Sequence, residues 1–486
     1  MAGAAAVIRR VSEWVWGVPM ILLIVAIGVI FTVRLRGIQI RRLRQALQDT
    51  VRGEAGAAGE VTSFGALCTA LAATIGTGNI VGVATAICAG GPGALFWMVA
   101  TAVLGMATQY AEGFLAVKYR TVTADGRTMG GPFAYIERGM GRRWRWLAVV
   151  FAGCAVFAGL FGIGTFTQVS GITTAVQRFF DPGFDAGSGA GFRIFGTCYS
   201  WPAVIAGLIV AAASALVLLG GMGRITKVAE FVVPFMAIGY LVFNLMLLVC
   251  NAGKIPAAIQ EIVRGAFQPG AVAGGAVGSI LVVIQQGVSR GVFTNEAGMG
   301  TAAIAAAAAK TSSPVRQGLV AMTGTFIDTI VLCTMTGLAI VITGAWRTDL
   351  EGAAVTGFAF VQGLPLPPSL SEFLLMVSLV FFAFATILGW HFYAERCLAY
   401  LSGGSRRAER IYRWLYILAV LIGPYLSVEV VWNLADITNG LMAFPNLIAL
   451  YALSGVVVTE TRIALRSSGG KHARAPCRPT AGRHAE

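Results

Sequence analysis

The feature that most constrains this chain is a recurring apolar run of about twenty residues, the length a helix needs to cross a bilayer. Reading for such runs gives eleven, at approximately 16–33, 62–87, 93–117, 146–175, 201–220, 226–250, 271–304, 317–345, 372–395, 413–431 and 438–461. They do not alternate, whereas the strands of a membrane barrel alternate over about ten residues. Composition points the same way: 57% of the residues are hydrophobic and 12% charged, against about a quarter charged in a soluble domain. Such a chain cannot cover a large water-facing surface, so it reads as an all-α polytopic membrane protein. Its 62 glycines point to close helix packing and broken helices rather than to flexible linkers.

Basic residues orient the runs. With the N-terminus outside, the inner segments 34–61, 118–145, 221–227, 305–316, 396–413 and the tail carry 28 basic residues, against 7 outside. Eleven spans with N outside and C inside follow. The formal net charge of +14 is then a property of helix ends, and no nucleic-acid partner is expected. Arg9 and Arg10 before the first run imitate a signal peptide, but the run is long and no cleavage site follows. It is read as a retained span. Residues 38–51 alternate Arg with Ile and Leu, as an amphipathic helix on the membrane surface does. The basic tail 462–486 is expected to be disordered near anionic lipid. Cys68, Cys88, Cys154, Cys198, Cys250, Cys333, Cys397 and Cys477 form no CxxC pair and read as packing residues. His391, His472 and His484 offer no metal-site pattern.

Setting residues 1–61 aside, with the first span and the surface helix, leaves a core over 62–461. Its ten spans divide into 62–250 and 271–461. Five per half forces the second half to be inverted. The first span of each half is interrupted, by Gly76-Thr77-Gly78-Asn79 in one. In the other, Gly287-Val288-Ser289-Arg290-Gly291 is followed by Asn295-Glu296-Ala297-Gly298. Interrupted spans at matching positions are the strongest sequence pointer to a transporter binding site. An unpaired backbone group in lipid costs several kcal/mol, so an unwound turn must line a polar cavity or face packed protein. The half-helix after a break offers a positive end and the one before it a negative end. A zwitterion with a small cation suits both. Glycines that merely allow close helix approach are the competing reading.

Other polar groups lie at membrane depth: Gln168, Gln285, Gln286, Asp328 and Glu112. Glu112 reads as a structural ion-pair member beside a basic loop. Arg290 and Glu296 are candidates to pair across the second break, and Asp328 is a candidate proton or ion site. Thr386 and Trp390 share a helix face, either as cation ligand and pocket wall or as a plain packing face.

The segments ALAATIGTGNIVGVATAICAGGPGALFWM, RGVFTNEAGMGTAAIAAAAAKTSSPVRQGLV, FIDTIVLCT and ATILGWHFYAERC resemble the alanine/glycine:cation symporter family, the sodium–alanine symporters, over about residues 60–460. The resemblance implies a leucine-transporter-like 5+5 inverted repeat with one extra N-terminal helix. It implies sodium-driven uptake of small neutral amino acids, mainly alanine and glycine. By motif, Thr74, Gly76, Thr77, Gly78 and Asn79 face the substrate, with Gln168 at the pocket and Trp390 limiting its size. Gln285 and Gln286 before the second break complete the substrate set. Sodium would sit between the Ala72 and Ile75 carbonyls and the Ala383 carbonyl and Thr386 hydroxyl, an oxygen-only set that suits a hard cation. Thr165 and Phe166 depart from the family pattern around the glutamine, which bears on substrate range.

A monomeric, multi-pass plasma (inner) membrane symporter working by alternating access is therefore expected. Proton coupling is the alternative. An ion channel would need a continuous polar pore. An enzyme would need a Ser/His/Asp set, a metal cluster or a phosphate loop, none of which is evident in the sequence.

Overall fold

The computed structural model describes residues 2–52, 54, 57–123, 126–184, 191–194, 197–267, 280–425 and 428–467. The N-terminal part comprises α1 (Ala2–Val15), α2 (Val18–Arg34), α3 (Ile38–Arg41) and α4 (Leu43–Val51). The two short helices α3 and α4 take up the stretch expected as an amphipathic surface helix.

The first half of the core then opens on a broken span. α5 (Ser63–Thr74) is capped by Thr62, whose hydroxyl accepts from Gly65 N, and α6 (Val81–Gly90) resumes after the break. α7 (Gly93–Lys118) and the short α8 (Pro132–Tyr135) follow. The expected span 146–175 is two helices, α9 (Arg145–Phe161) and α10 (Phe166–Phe180). The chain breaks at the Gly-Ile-Gly turn, where the Thr165 hydroxyl satisfies the Leu160 carbonyl at 2.7 Å. α11 (Trp201–Leu218), α12 (Met222–Cys250) and the unanticipated α13 (Ile255–Phe267) complete this half. α13 is amphipathic, burying Ala258, Ile262, Gly265 and Ala266.

The second half repeats the plan. α14 (Ile280–Asn295) and α15 (Thr301–Ala307) form its broken span. α16 (Pro314–Thr325) passes through a π-helical stretch, Phe326–Cys333, into α17 (Thr334–Thr343). After α18 (Ala353–Gly363) come α19 (Pro368–Leu401), α20 (Arg406–Ile422), α21 (Val428–Ala452) and α22 (Ser454–Ser467). The last expected span, 438–461, is instead α21 and α22, which meet at a bend of 56°.

The sequence expectation for the second break is corrected here. The helix α14 runs unbroken through Gly287–Gly291, and the second break falls at 296–300. The start of the expected seventh span, 271–279, lies outside the described residues, as do the tail beyond Ser467, Cys477, His472 and His484. Among the described residues, six helices are long and apolar enough to cross a membrane, counting α9 with α10, and α16 with α17, as one each. They are seven if the bent pair α21–α22 is included. α2, α5, α6 and α18 are shorter apolar helices.

The basic segments gather at one end of the bundle, where they fasten the two broken spans together. The Arg120 guanidinium donates to the carbonyls of Ala58, Ala307, Ala309 and Thr311 at 2.6–2.7 Å. Val61 pairs with Ala309 as a parallel bridge. Glu60, just ahead of α5, accepts from Thr128 N and Thr128 Oγ1 and from Arg396 of α19. The entry to α5 and the exit of α15 are thus one unit, closed at the basic end. Each carbonyl stripped of a donor costs roughly 1–3 kcal/mol where it is buried. Arg120→Ala should therefore lower the stability of the purified protein by about 2–4 kcal/mol. Thermal unfolding in detergent measures this, and an unchanged transition would contradict the clamp.

Candidate functional site

The first break follows from its residue types. α5 ends at Thr74, Ile75 leaves the helical region, and Gly76 takes an extended backbone before the single 3₁₀ turn Thr77–Asn79. Asn79 Oδ1 accepts from Gly76 N at 3.0 Å, and Gln168 Oε1 accepts from Thr77 N at 3.2 Å. Gln168 is itself held from behind, since its Nε2 donates to Ile163 O at 3.0 Å. Gly76 is required by close approach. A Cβ there would lie 2.5 Å from Thr386 Oγ1 and 3.2 Å from Gln168 Oε1.

Two of the residues expected to hold sodium, Ile75 and Thr386, meet at this point. Thr386 Oγ1 donates to the Ile75 carbonyl at 3.3 Å and to its own helix at Phe382 O at 3.1 Å. Ala72 and Ala383 are buried one turn earlier on α5 and α19. A hydroxyl and carbonyls at the negative end of a half-helix form an oxygen-rich corner suited to a hard cation.

The substrate-facing set divides. Thr74, Gly76, Thr77, Gly78 and Asn79 lie together at the break, with Gln168 bonded to it. The Thr77 hydroxyl is buried without a hydrogen-bond partner. It lies on a cavity of about 720 Å³ that is also lined by Thr85, Thr167, Ser170, Arg178, Arg290 and Glu351, and that runs away from the basic end. Gln285 and Gln286 are not brought to this backbone. Gln285 Nε2 donates to Trp16 O at 3.3 Å. Gln286 packs beside Gly90, the end of α6, roughly 16 Å of helix rise beyond Asn79. Trp390 is fully buried, and its Nε1 donates to Glu296 Oε1 at 2.9 Å. Thr386 and Trp390 thus do share a face, and it meets both breaks. Phe166 packs with Phe161 and Ala419, so the departure at this position is spent against α20.

The second break is built by carboxylates whose roles sequence reasoning misassigned. Glu296 has a left-handed backbone (φ 56°), unusual for a non-glycine residue. Its carboxylate accepts from Trp390 and, at 2.5 Å, from Thr301 Oγ1. It does not pair with Arg290, which instead contacts Asp436 of α21 at 3.4 Å. Helix geometry explains this: α14 stays intact through Arg290 and carries it to the wall shared with α21. Nor is Glu112 an ion-pair member. Its Oε1 accepts from Gly298 N and Gly300 N at 3.1 Å and from Asn446 Nδ2 at 2.7 Å. Gly300 has φ 82°, and a Cβ there would lie 2.4 Å from Pro132.

Asp328 does for the first break what Glu112 does for the second. The π-helical turn directs its Oδ1 to Asn79 Nδ2 at 2.7 Å, while Thr329 Oγ1 donates to Oδ2 at 2.8 Å. π turns are often found at functional sites. The arrangement is reciprocal. Glu112 lies on the span that follows the first break and holds the second. Asp328 lies on the span that follows the second break and holds the first. Asn446, Gln109 (to Asn295 O, 2.9 Å) and Thr329 complete the frame and carried no sequence signal beyond a polar group at membrane depth.

These features match known proteins. The sodium:alanine symporter family model covers residues 1–470. The chain belongs to the sodium:alanine symporter family. It is similar to the sodium/alanine symporter AgcS of Methanococcus maripaludis, at 44% identity covering 94% of this chain and 96% of that protein. It is 50% identical to an uncharacterized transporter of Haemophilus influenzae, covering 94% and 95% of the two chains. The crystal structure of MhsT in complex with L-phenylalanine shares its fold, with a TM-score of 0.55 at 12% identity. That match covers 84% of this chain and all of the other. The symporter is thus a multi-pass membrane transporter of leucine-transporter-like architecture.

The carboxylate frame makes a specific demand. Glu112→Ala leaves two buried N–H groups and an amide without their acceptor, costing about 3–5 kcal/mol. Glu112→Gln keeps a carbonyl acceptor and should cost less than half of that. Thermal unfolding of both variants checks the order, and equal losses would contradict it.

Proposed function

We propose that this symporter takes up small neutral amino acids, alanine and glycine foremost, together with sodium across the plasma (inner) membrane. The reading rests above all on the meeting of the Ile75 carbonyl, at the end of α5, with the Thr386 hydroxyl. It places an oxygen-rich corner within one turn of the unwound backbone Gly76–Asn79.

In this reading sodium occupies the corner formed by Ala72, Ile75, Ala383 and Thr386. The amino acid lies along Thr74, Gly76, Thr77, Gly78 and Asn79, its carboxylate toward the positive end of α6. Gln168 fixes the turn, and Trp390 bounds the pocket. With eleven spans and the basic end in the cytoplasm, the 720 Å³ cavity is the outer entrance and the Arg120–Glu60 fastening is the closed inner gate. Sodium and substrate together stabilise closure of the outer path, the bundle rocks, and both leave inward. One sodium charge at 100 mV contributes about 2.3 kcal/mol of drive.

One observation favours a second reading, in which protons couple transport. Glu112, Glu296 and Asp328 are fully buried, and none pairs with a cationic side chain among the described residues. Burying an uncompensated carboxylate is expensive, so a proton or a cation at Asp328 would relieve the first break. Labelled alanine uptake into proteoliposomes under separate sodium, potassium and proton gradients decides. Sodium alone should drive accumulation; uptake that follows pH and ignores sodium would move the coupling to the carboxylates.

Two substitutions probe the assignments. Thr386→Ala should raise the sodium concentration for half-maximal uptake by roughly tenfold, the loss of about 1.4 kcal/mol. An unaltered value removes Thr386 from the site. Trp390→Ala should admit larger side chains while Trp390→Phe, which keeps the bulk but lacks the donor to Glu296, should not. An unchanged substrate range in Trp390→Ala would leave Trp390 as an anchor of the second break only.

A further inference from the structure

Six arginines surround one space at the basic end, on elements that take no part in the transport site. The cavity, about 280 Å³, lies between the α2–α3 turn and α22. It is lined by Arg34, Arg36, Arg41, Arg42, Arg462 and Arg466 over a floor of Leu35, Ile38 and Leu465. That volume is many times the ~30 Å³ share of one liquid water.

Among the described residues no carboxylate pairs with any of the six. Arg34 Nη1 donates to Ser454 Oγ at 2.8 Å, Arg42 to Gln45 at 3.0 Å, and Arg462 to the Arg34 carbonyl at 3.0 Å. The guanidinium groups of Arg36, Arg41 and Arg466 make no hydrogen bond or ion pair with described residues. Six guanidinium groups around one cavity repel one another, and a bound anion would relieve that repulsion. The backbone points the same way. Arg36 is a non-glycine residue in the left-handed region, at φ 57°, followed by Gly37 at φ 65°, and strain of this kind clusters at ligand sites. Val33, Ile40 and Ile463 beside the cavity are exposed apolar side chains, placed to meet acyl chains where the arginines meet a headgroup.

We propose that this cavity is a binding site for a phosphate-bearing anion, in the form of an anionic phospholipid headgroup. Planar guanidinium forks match phosphate oxygens bidentately, and basic pockets between membrane helices take such headgroups. The lipid ties the additional N-terminal span α2 to α22, which Lys118 of α7 already grips through Glu460. Its effect is on assembly and stability, not on the ion or amino acid.

The test uses the purified full chain in neutral detergent, followed by thermal unfolding and by native mass spectrometry of retained lipid. Phosphatidylglycerol should raise the unfolding temperature by several degrees, and phosphatidylcholine should not. The variant Arg36→Gln/Arg41→Gln/Arg462→Gln/Arg466→Gln should lose the shift and bind the lipid at least about tenfold more weakly. Arg142→Gln/Arg143→Gln, on the same end but away from the cavity, should keep it. If millimolar inorganic phosphate reproduces the whole shift in the wild type but not in the fourfold variant, the anion site stands with free phosphate as its source. Should the fourfold variant fail to fold, Arg36→Gln/Arg466→Gln serves in its place, retaining fewer lipids than the wild type. Equal stabilisation of wild type and cavity variants, or no stabilisation by any of these anions, overturns the proposal.

Discussion

Peptide groups released inside a membrane have no water to turn to, and everything distinctive in this structure follows from how two sets of them are satisfied. At the first break, Gly76 N finds Asn79, Thr77 N finds Gln168, and Asn79 is held by Asp328. At the second, Gly298 N and Gly300 N find Glu112. One carboxylate from each half reaches the break of the other: Asp328 holds the first through Asn79, and Glu112 holds the second directly. The carboxylates are costly to bury, and they persist where a neutral side chain would present fewer acceptors to several donors.

The same frame supplies the moving parts. Arg120 and Glu60 join the entry of α5 to the exit of α15 at the basic end, while the opposite side of the first break opens into a cavity. Two half-helices joined at one end and separated at the other can exchange which end is joined without refolding either. In the proposed cycle, a cation at the α5–α19 corner and a zwitterion at the unwound turn would act on that exchange by binding one arrangement better than the other.

Much of this was legible in the chain. Apolar run length indicated a multi-pass helical bundle, though not how many helices span it, and the Gly-Thr-Gly-Asn cluster marked the first break because Gly76 and Asn79 are needed there. Thr386 and Ile75, paired on the general pattern of the resembled fold, lie in hydrogen-bond contact. Other features were hidden for identifiable reasons. Gly287 and Gly291 looked like the second break, but they serve packing against Ala94 and Met98, and the helix yields only where Glu296 and Gly298–Gly300 follow. The Glu112 partners, and the Trp390 partner of Glu296, lie far along the chain, so neither spacing nor charge pattern exposed them. Glu112 sits near a basic loop in sequence, yet in space it faces backbone amides. The span 146–175 hid an interruption because its turn, Gly162–Thr165, is itself apolar enough to continue the run. Gln285, adjacent to a glycine-rich segment in sequence, turns toward the N-terminal helices instead.

The arginine cavity at the basic end lies at the edge of the bundle, where α2 meets α22 through Arg34 with Ser454 and through Arg462 with the Arg34 carbonyl. The central claim, that the unwound turn of α5–α6 is the shared seat of cation and amino acid, is tested most directly by a density map of the protein purified in sodium and saturating alanine. The account predicts a zwitterion along Gly76–Asn79 and a separate spherical peak between the Ile75 carbonyl and the Thr386 hydroxyl. Continuous helix through Gly76–Asn79, or alanine bound elsewhere with that corner filled only by protein atoms, would contradict it.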